Sequence, residues 1–344
     1  MEERNDIRFA IPSNGRLEKD TLEFMKACGL TVKRPNSRSY TATIPMLPDV
    51  SAIWQRQNDI VRGVRVGSLD FAVVGQDALE ERCAGEPTCE NIVIVHNALN
   101  ISHCELHLAV PQAWDNVFTM ADLARKAIEI EENTGRPLRI ATKFPRLTER
   151  FLNQHNINHE LFKADGTLEI APALGYADMI ADLVSTGNTL RANALRQLDD
   201  GRMIHSQGVL IASKQALQTR PEVRQVAYEL LEYIEAYLRA QDCYTVVSNM
   251  RGESPQAIAN RMLDKTHIRG LQGPTISQIV PHNGTIESNK NWYAVQIIVK
   301  KKNLSAAIRE LRQIGGSGVI VTPVRYIFEE VPERYQALLA EIGL

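Results

Sequence analysis

Residues 178–184 form an apolar run that ends in Ser185-Thr186-Gly187, and residues 189–195 then read as a helix. A strand that delivers such a turn to a helix start leaves main-chain N–H groups and the positive helix end facing the turn. Gly187 allows close backbone approach to a ligand, and Ser185, Thr186 and Thr189 add hydroxyl donors. This makes a phosphate cradle built without lysine. Without a ligand, the same residues are a helix cap. Asp178 and Asp182 flank the turn. Aimed at phosphate they would repel it, so their chemistry is to accept from sugar hydroxyls or to reach a cation.

Gly15-Arg16 stands where a strand at 7–11 turns into a helix, and an arginine there can grip phosphate with two N–H groups. Asp70 precedes a buried strand, a polar group at a strand mouth. His103, Glu105 and His107 share one face of a strand, which makes them a possible metal trio by spacing alone. Cys83 and Cys89 are too far apart for half of a zinc knuckle. No Ser-His-Asp or Cys-His set stands out, and no G-x-x-x-x-G-K-[ST] loop is present.

The elements needed to position these residues alternate. Strands are expected at 7–11, 70–74, 105–110, 138–142, 161–164, 178–184 and 209–213. Helices are expected at 17–28, 78–83, 118–132, 146–154, 168–173 and 189–195. That rhythm is an α/β sheet architecture. A long helix at 221–240 follows, with Pro221 in its first turn. The order then changes to βαββαβ, through strands at 244–248, 275–280, 292–299 and 319–328 and helices at 255–263 and 304–314. This is a ferredoxin-like pattern. Residues 331–344 read as a short amphipathic helix.

A chain of 344 residues is long enough for two or three domains. Its 44% hydrophobic and 23% charged residues are ordinary globular composition. A net charge of −2 gives no reason to expect nucleic acid or a membrane surface as partner. The opening Met1-Glu2-Glu3-Arg4-Asn5-Asp6 lacks the basic-then-apolar order of a secretory signal, and five scattered cysteines fit a reducing compartment. The expectation is a cytoplasmic protein.

Asp182-Leu183-Val184-Ser185-Thr186-Gly187-Asn188-Thr189-Leu190 resembles the signature with which ATP phosphoribosyltransferases hold the 5-phosphate of phosphoribosyl pyrophosphate (PRPP). Gly15-Arg16-Leu17, Asp70-Phe71-Ala72-Val73-Val74-Gly75, Ile140-Ala141-Thr142, Gly166-Thr167-Leu168-Glu169-Ile170-Ala171-Pro172 and Gly175-Tyr176-Ala177-Asp178 are similar to the family in the same order. The resemblance implies two α/β lobes related to periplasmic binding proteins: residues 1–104 with 195–240, and residues 105–194. It also implies, as in the family's long form, a histidine-sensing domain over 241–344. The implied reaction joins adenine N1 of ATP to C1 of PRPP and releases pyrophosphate, with Mg²⁺ carried on pyrophosphate oxygens and no confident protein ligand for it.

The same resemblance implies roles for single residues. Asp178, Asp182 and Glu169 would serve the ribose or the developing cation. Residues 182–190 would bind PRPP, and Gly15, Arg16, Arg56, Asp70 and Cys104 would bind ATP. Thr275 and Ser317, at two glycine turns, would hold inhibitory histidine. Dimers assembling into hexamers are implied as well. The sequence departs from the family where Ser13 and Asn14 replace a lysine, and where Glu105 replaces a basic residue after Cys104. A non-catalytic two-lobed binding or regulatory protein is the alternative.

Overall fold

The computed structural model describes residues 6–36, 38–84, 87–164, 166–270, 273–280 and 291–344. Residues 1–5, on which the reading of the amino terminus rests, lie outside them. The chain forms two compact units, residues 1–231 with 331–344, and residues 232–330.

The first unit opens with β1 (Ile7–Pro12), α1 (Gly15–Ala27), β2 (Thr41–Ile44), β3 (Leu47–Gln55), α2 (Gln57–Arg65), β4 (Phe71–Gly75), α3 (Gln76–Cys83) and β5 (Ile92–His96). A second run follows: β6 (Cys104–Pro111), α4 (Met120–Thr134), β7 (Leu138–Thr142), α5 (Pro145–Gln154), β8 (His159–Lys163), α6 (Ala171–Leu174), β9 (Met179–Val184), α7 (Asn188–Ala192) and β10 (Leu195–Ser206). β11 (Gly208–Ser213), α8 (Lys214–Thr219) and α9 (Pro221–Ala240) come next.

These strands make two sheets on one plan. The first has the order β2-β3-β1-β4-β11-β5 and the second β10-β6-β9-β7-β8. In each, three parallel strands lie side by side (β3-β1-β4 and β8-β7-β9). The strand arriving from the other lobe, β11 or β6, is inserted antiparallel beside them, and β5 or β10 closes the set. This repeated plan is the two-lobed arrangement expected from kinship with periplasmic binding proteins. β1 and β4 are buried on both faces, so Ile7, Phe9, Ile11 and Phe71 read as continuous apolar runs. Burying a side chain of that size contributes about 1.5–3 kcal/mol. α4 starts on a capping box between Thr119 and Asp122 and buries Met120, Leu123 and Ala127 on its sheet.

Two crossings join the lobes, residues 97–103 and Gln207. They are bonded to each other: Asn100 N–H donates to the Gln207 side chain (3.1 Å), and Gly208 N–H donates to the Ile101 carbonyl (2.9 Å). Asn100 (φ 57°) and Ser102 (φ 53°) are held in the left-handed region that non-glycine residues seldom occupy.

Four expectations need correction. Residues 195–206 form β10 on the second sheet, so they do not return to lobe one. α7 is only five residues long and stops at Ala192. The last strand of the second unit ends at Pro323 and does not reach Phe328. The tail helix belongs to the first unit, not to a C-terminal domain. β10 escaped detection because Arg196, Asp199, Asp200 and Arg202 break its apolar alternation, as suits an edge strand with irregular register.

The second unit holds β12 (Cys243–Arg251), α10 (Pro255–Leu263), β13 (Thr275–Gln278), β14 (Trp292–Lys300), α11 (Leu304–Gln313) and β15 (Ser317–Pro323). Their antiparallel order β13-β14-β12-β15 is the ferredoxin-like sheet read from the βαββαβ pattern. Ile258 and Met262 of α10 and Ala307 and Leu311 of α11 cover Val246, Val295 and Ile297. The chain then returns to the first unit as α12 (Glu333–Ile342).

Candidate active site

In parallel sheets, ligands gather beyond the carboxyl ends of the strands. The loops there on lobe one are β1–α1 with Gly15 and Arg16, β3–α2 with Arg56, and β4–α3 with Gly75 and Asp77. On lobe two they are β7–α5 with Lys143, the turn at 168–170 with Glu169, and β9–α7 with residues 185–187. β6 runs antiparallel beside β9, with Glu105 opposite Val184, so its first residue Cys104 sits beside the end of the β9 loop. Ser206, paired with Cys104 across β10 and β6, is hydrogen-bonded to Asp77 of lobe one (2.6 Å), so the two carboxyl edges adjoin at Cys104, which feels the charges of Asp77 and Arg16. Burial first, then Asp77, pushes its thiol up to about 11, so it is a neutral lining group and no nucleophile.

Gly187 is left-handed at φ 69° and caps α7. Ser185, Thr186, Asn188 and Thr189 are exposed, while Leu190 is buried and anchors the turn. Among the described residues no protein acceptor takes the main-chain N–H groups of Thr186, Gly187, Asn188 or Thr189. Arg191 folds back to donate to the Thr186 carbonyl (3.2 Å) and braces the turn. Because α7 is so short, its dipole adds little, and the cradle rests on oriented N–H groups and hydroxyls.

Asp182 lies within electrostatic reach of both Glu169 and Lys143. Burial pushes the Asp182 carboxyl above its ordinary value and Glu169 adds to this, while the Leu183 N–H (2.8 Å) and Lys143 oppose it. Lys143 was missed by sequence reasoning. Its place right after β7, at the same edge as the Ser185 loop, was the available signal.

Two predicted aspartates lie elsewhere. Asp178 precedes β9, so the strand's six residues put it about 20 Å from the loop. Its carboxylate accepts from Arg136 (2.6 and 2.9 Å), from Arg139 N–H (2.9 Å) and from the Arg139 guanidinium (3.2 Å). Burial pushes this carboxyl up, but those donors outweigh it and hold it below the usual range. Asp70 precedes β4 and is fully buried. It accepts from Arg8 N–H (2.8 Å) and Arg220 (3.0 Å) at the amino edge of its sheet. Both are structural ion-pair residues at the wrong strand end for the site.

The remaining candidates divide. Arg16 is exposed and pairs with Asp20 one turn on (3.1 Å), and Arg56 is an exposed N-cap of α2. Both face the carboxyl edge. Glu105 pairs with Arg202 (2.9 Å), which offsets the charge that had seemed out of place after Cys104. His103 stacks near His205, and buried His107 is bonded at Nδ1 to the Leu108 carbonyl, so the trio does not converge. Among the described residues no three metal-ligating side chains cluster. Cys83 and Cys89 form a disulfide, which the expectation of a reducing compartment did not anticipate. Thr275 and Ser317 begin β13 and β15, the two outer strands of their sheet. Three strand spacings separate them by about 14 Å, so one chain does not bring them into one amino-acid site.

Comparison with known proteins follows the same division. A family model described as ATP phosphoribosyltransferase matches residues 56–236, and one described as HisG, C-terminal domain, matches residues 240–326. ATP phosphoribosyltransferase 1, chloroplastic, of Arabidopsis thaliana is 43% identical over 346 residues, covering 99% of this chain and 82% of that protein. ATP phosphoribosyltransferase of Rhodopseudomonas palustris is 35% identical over 271 residues, with 78% and 82% covered. The ATP phosphoribosyl transferase (HisG:HisZ) complex from Thermotoga maritima superposes with a TM-score of 0.51 at 23% identity. It covers 67% of this chain and 96% of that one, a likeness of fold. No helix among the described residues is long and apolar enough to cross a membrane.

Proposed function

This chain belongs to the ATP phosphoribosyltransferase family, a pentosyltransferase of histidine biosynthesis, and from that premise we propose that its carboxyl-edge cleft divides the two substrates between the lobes. The observation that carries the reading is the set of N–H groups at residues 186–189 that have no protein acceptor among the described residues, in the loop that follows Asp182.

In this reading the 5-phosphate of PRPP sits on those N–H groups and on the hydroxyls of Ser185, Thr186 and Thr189. Asp182 faces the ribose hydroxyls. Its ionised carboxylate holds them and offsets positive charge as C1 gains oxocarbenium character. Gly15, Arg16 and Arg56 lie opposite on lobe one, where two guanidinium groups stand in for the lysine absent before Gly15. They serve the triphosphate of ATP. Adenine N1 carries its own lone pair, so attack on C1 needs no strong base. The C1–O bond breaks as N1–C1 forms, and the pair of electrons leaves with pyrophosphate. The enzyme's contribution is mainly orientation and charge.

Mg²⁺ bound to pyrophosphate oxygens would supply charge neutralisation for the leaving group. Histidine would act through the second unit. With Thr275 and Ser317 on opposite edges, a site using both takes one from each of two copies, which ties inhibition to assembly.

Calorimetry with ribose 5-phosphate and PRPP tests the loop. Gly187→Ala forces a Cβ onto a left-handed backbone and places it 3.3 Å from the Arg191 side chain. The left-handed penalty is about 1–2 kcal/mol, so the folded variant should bind both ligands roughly tenfold more weakly. Unchanged ribose 5-phosphate affinity in that folded variant contradicts the assignment.

A further inference from the structure

α3 is a lobe-one helix that carries two buried carboxylates one turn apart, Asp77 and Glu81, on the same face. Both bond across to the other lobe. Asp77 Oδ1 accepts from Ser206 Oγ (2.6 Å), and Asp77 N–H donates to that same oxygen (3.0 Å). Ser206 is the last residue of β10, next to the crossing at Gln207. Glu81 reaches further from the crossing. Its two oxygens accept one N–H each from Arg146 (3.1 Å) and Leu147 (3.0 Å), in the first turn of α5 on lobe two. Arg146 returns the contact by donating to the Arg82 and Ala84 carbonyls (3.1 and 3.4 Å) at the end of α3.

These bonds fall at a telling place. α5 begins two residues after Lys143, and Lys143 acts on Asp182 in the proposed PRPP site. The lobes are otherwise joined by the two adjacent crossings at 97–103 and Gln207, whose backbone holds left-handed Asn100 and Ser102. Adjacent crossings of this kind leave one lobe free to rotate on the other unless a contact away from them fixes the angle. Asp77 is at the crossings. Glu81 is the carboxylate that supplies such a contact.

We infer that Glu81 is a positioning residue that holds lobe two at the angle at which the Ser185–Thr189 loop and Arg16 face one cleft. The inference rests on the proposed division of substrates between the lobes. Glu81 touches neither substrate; it raises the fraction of enzyme already in the binding-competent arrangement. Apparent affinity scales with that fraction, whereas turnover of the saturated enzyme does not.

The test uses the full chain. Glu81→Gln leaves one acceptor oxygen for two N–H groups, and Arg146→Ala removes the return contact without touching the carboxylate. PRPP dissociation constants are measured by calorimetry with Mg²⁺, and kcat by pyrophosphate release at saturating ATP and PRPP. Glu81→Gln should weaken PRPP about tenfold, and Arg146→Ala by less in the same direction. In both, kcat should stay within about twofold of wild type. Wild-type PRPP affinity in folded Glu81→Gln overturns the inference, as does a loss of kcat with unchanged affinity, the pattern of mere structural damage. If Glu81→Gln does not fold, Arg146→Ala decides on the same two readings. Failure of the loop reading would show separately, as unchanged ribose 5-phosphate and PRPP affinity in folded Gly187→Ala, and the inference would fall with it.

Discussion

Asp178 stands just before β9 and Asp182 within it, four residues on, yet their surroundings differ sharply. Asp182 is held by burial above its ordinary pKa near the carboxyl end of β9, where we propose it faces the ribose. Asp178 is spent on Arg136 and Arg139 at the other end. Asp178→Asn should therefore cost stability, about 3 kcal/mol, because two guanidinium groups lose their counter-charge. Its folded pKa is depressed, so the stabilisation is full above the unfolded value of about 3.9 and is lost as pH falls through the folded value. Thermal unfolding from neutral pH downward should show the gap between variant and wild type closing in acid. A gap that stays constant with pH contradicts the ion-pair account.

Strand direction was the missing information for Asp178 and Asp70 alike. Both precede their strands, and carboxyl-edge chemistry comes from residues that follow strands. That distinction can be drawn from the sequence, and it recovers Lys143, which follows β7 just as Ser185 follows β9. The Ser-Thr-Gly loop itself was legible because its function needs backbone, a left-handed glycine and hydroxyls in one short run. The lobe-to-lobe bonds of Asp77 and Glu81 were not legible, since their partners are 129 and 65 or more residues away.

At the scale of elements, the buried strands announced themselves through apolar runs, while β10 hid behind its charges. α12 was seen as amphipathic but given the wrong partner. It buries Leu338 and Ile342, its Tyr335 meets Tyr228 edge-on at 5.1 Å between ring centroids, and the Ile342 carbonyl accepts from Gln218 (2.7 Å). Deleting residues 332–344 should destabilise the first unit by about 3 kcal/mol or more, the cost of exposing two or three large buried side chains. Differential scanning calorimetry of the full chain against the deletion reads this directly. An unchanged first-unit transition means that the helix contributes nothing to that fold.

The whole molecule passes from the first unit to the second and back again, which changes how regulation has to be tested. Ending the chain near Ala240 would also remove α12 and confuse lost sensing with lost stability. Replacing residues 241–330 by a short flexible linker, with α12 kept, should leave pyrophosphate release intact and abolish inhibition by histidine. Inhibition equal to that of the full chain would place the sensor outside the second unit. Oligomeric state, followed by light scattering, should change in the same variant if the site needs two copies.

The most direct measurement of the catalytic account is kcat/KM for PRPP in the full-length Asp182→Asn and Asp178→Asn variants, followed by pyrophosphate release at saturating ATP. The account predicts a loss of at least about tenfold for Asp182→Asn, roughly 1.4 kcal/mol of transition-state stabilisation. Folded Asp178→Asn should stay within about twofold of wild type. A wild-type value for Asp182→Asn, or a larger loss for Asp178→Asn than for Asp182→Asn, would contradict it.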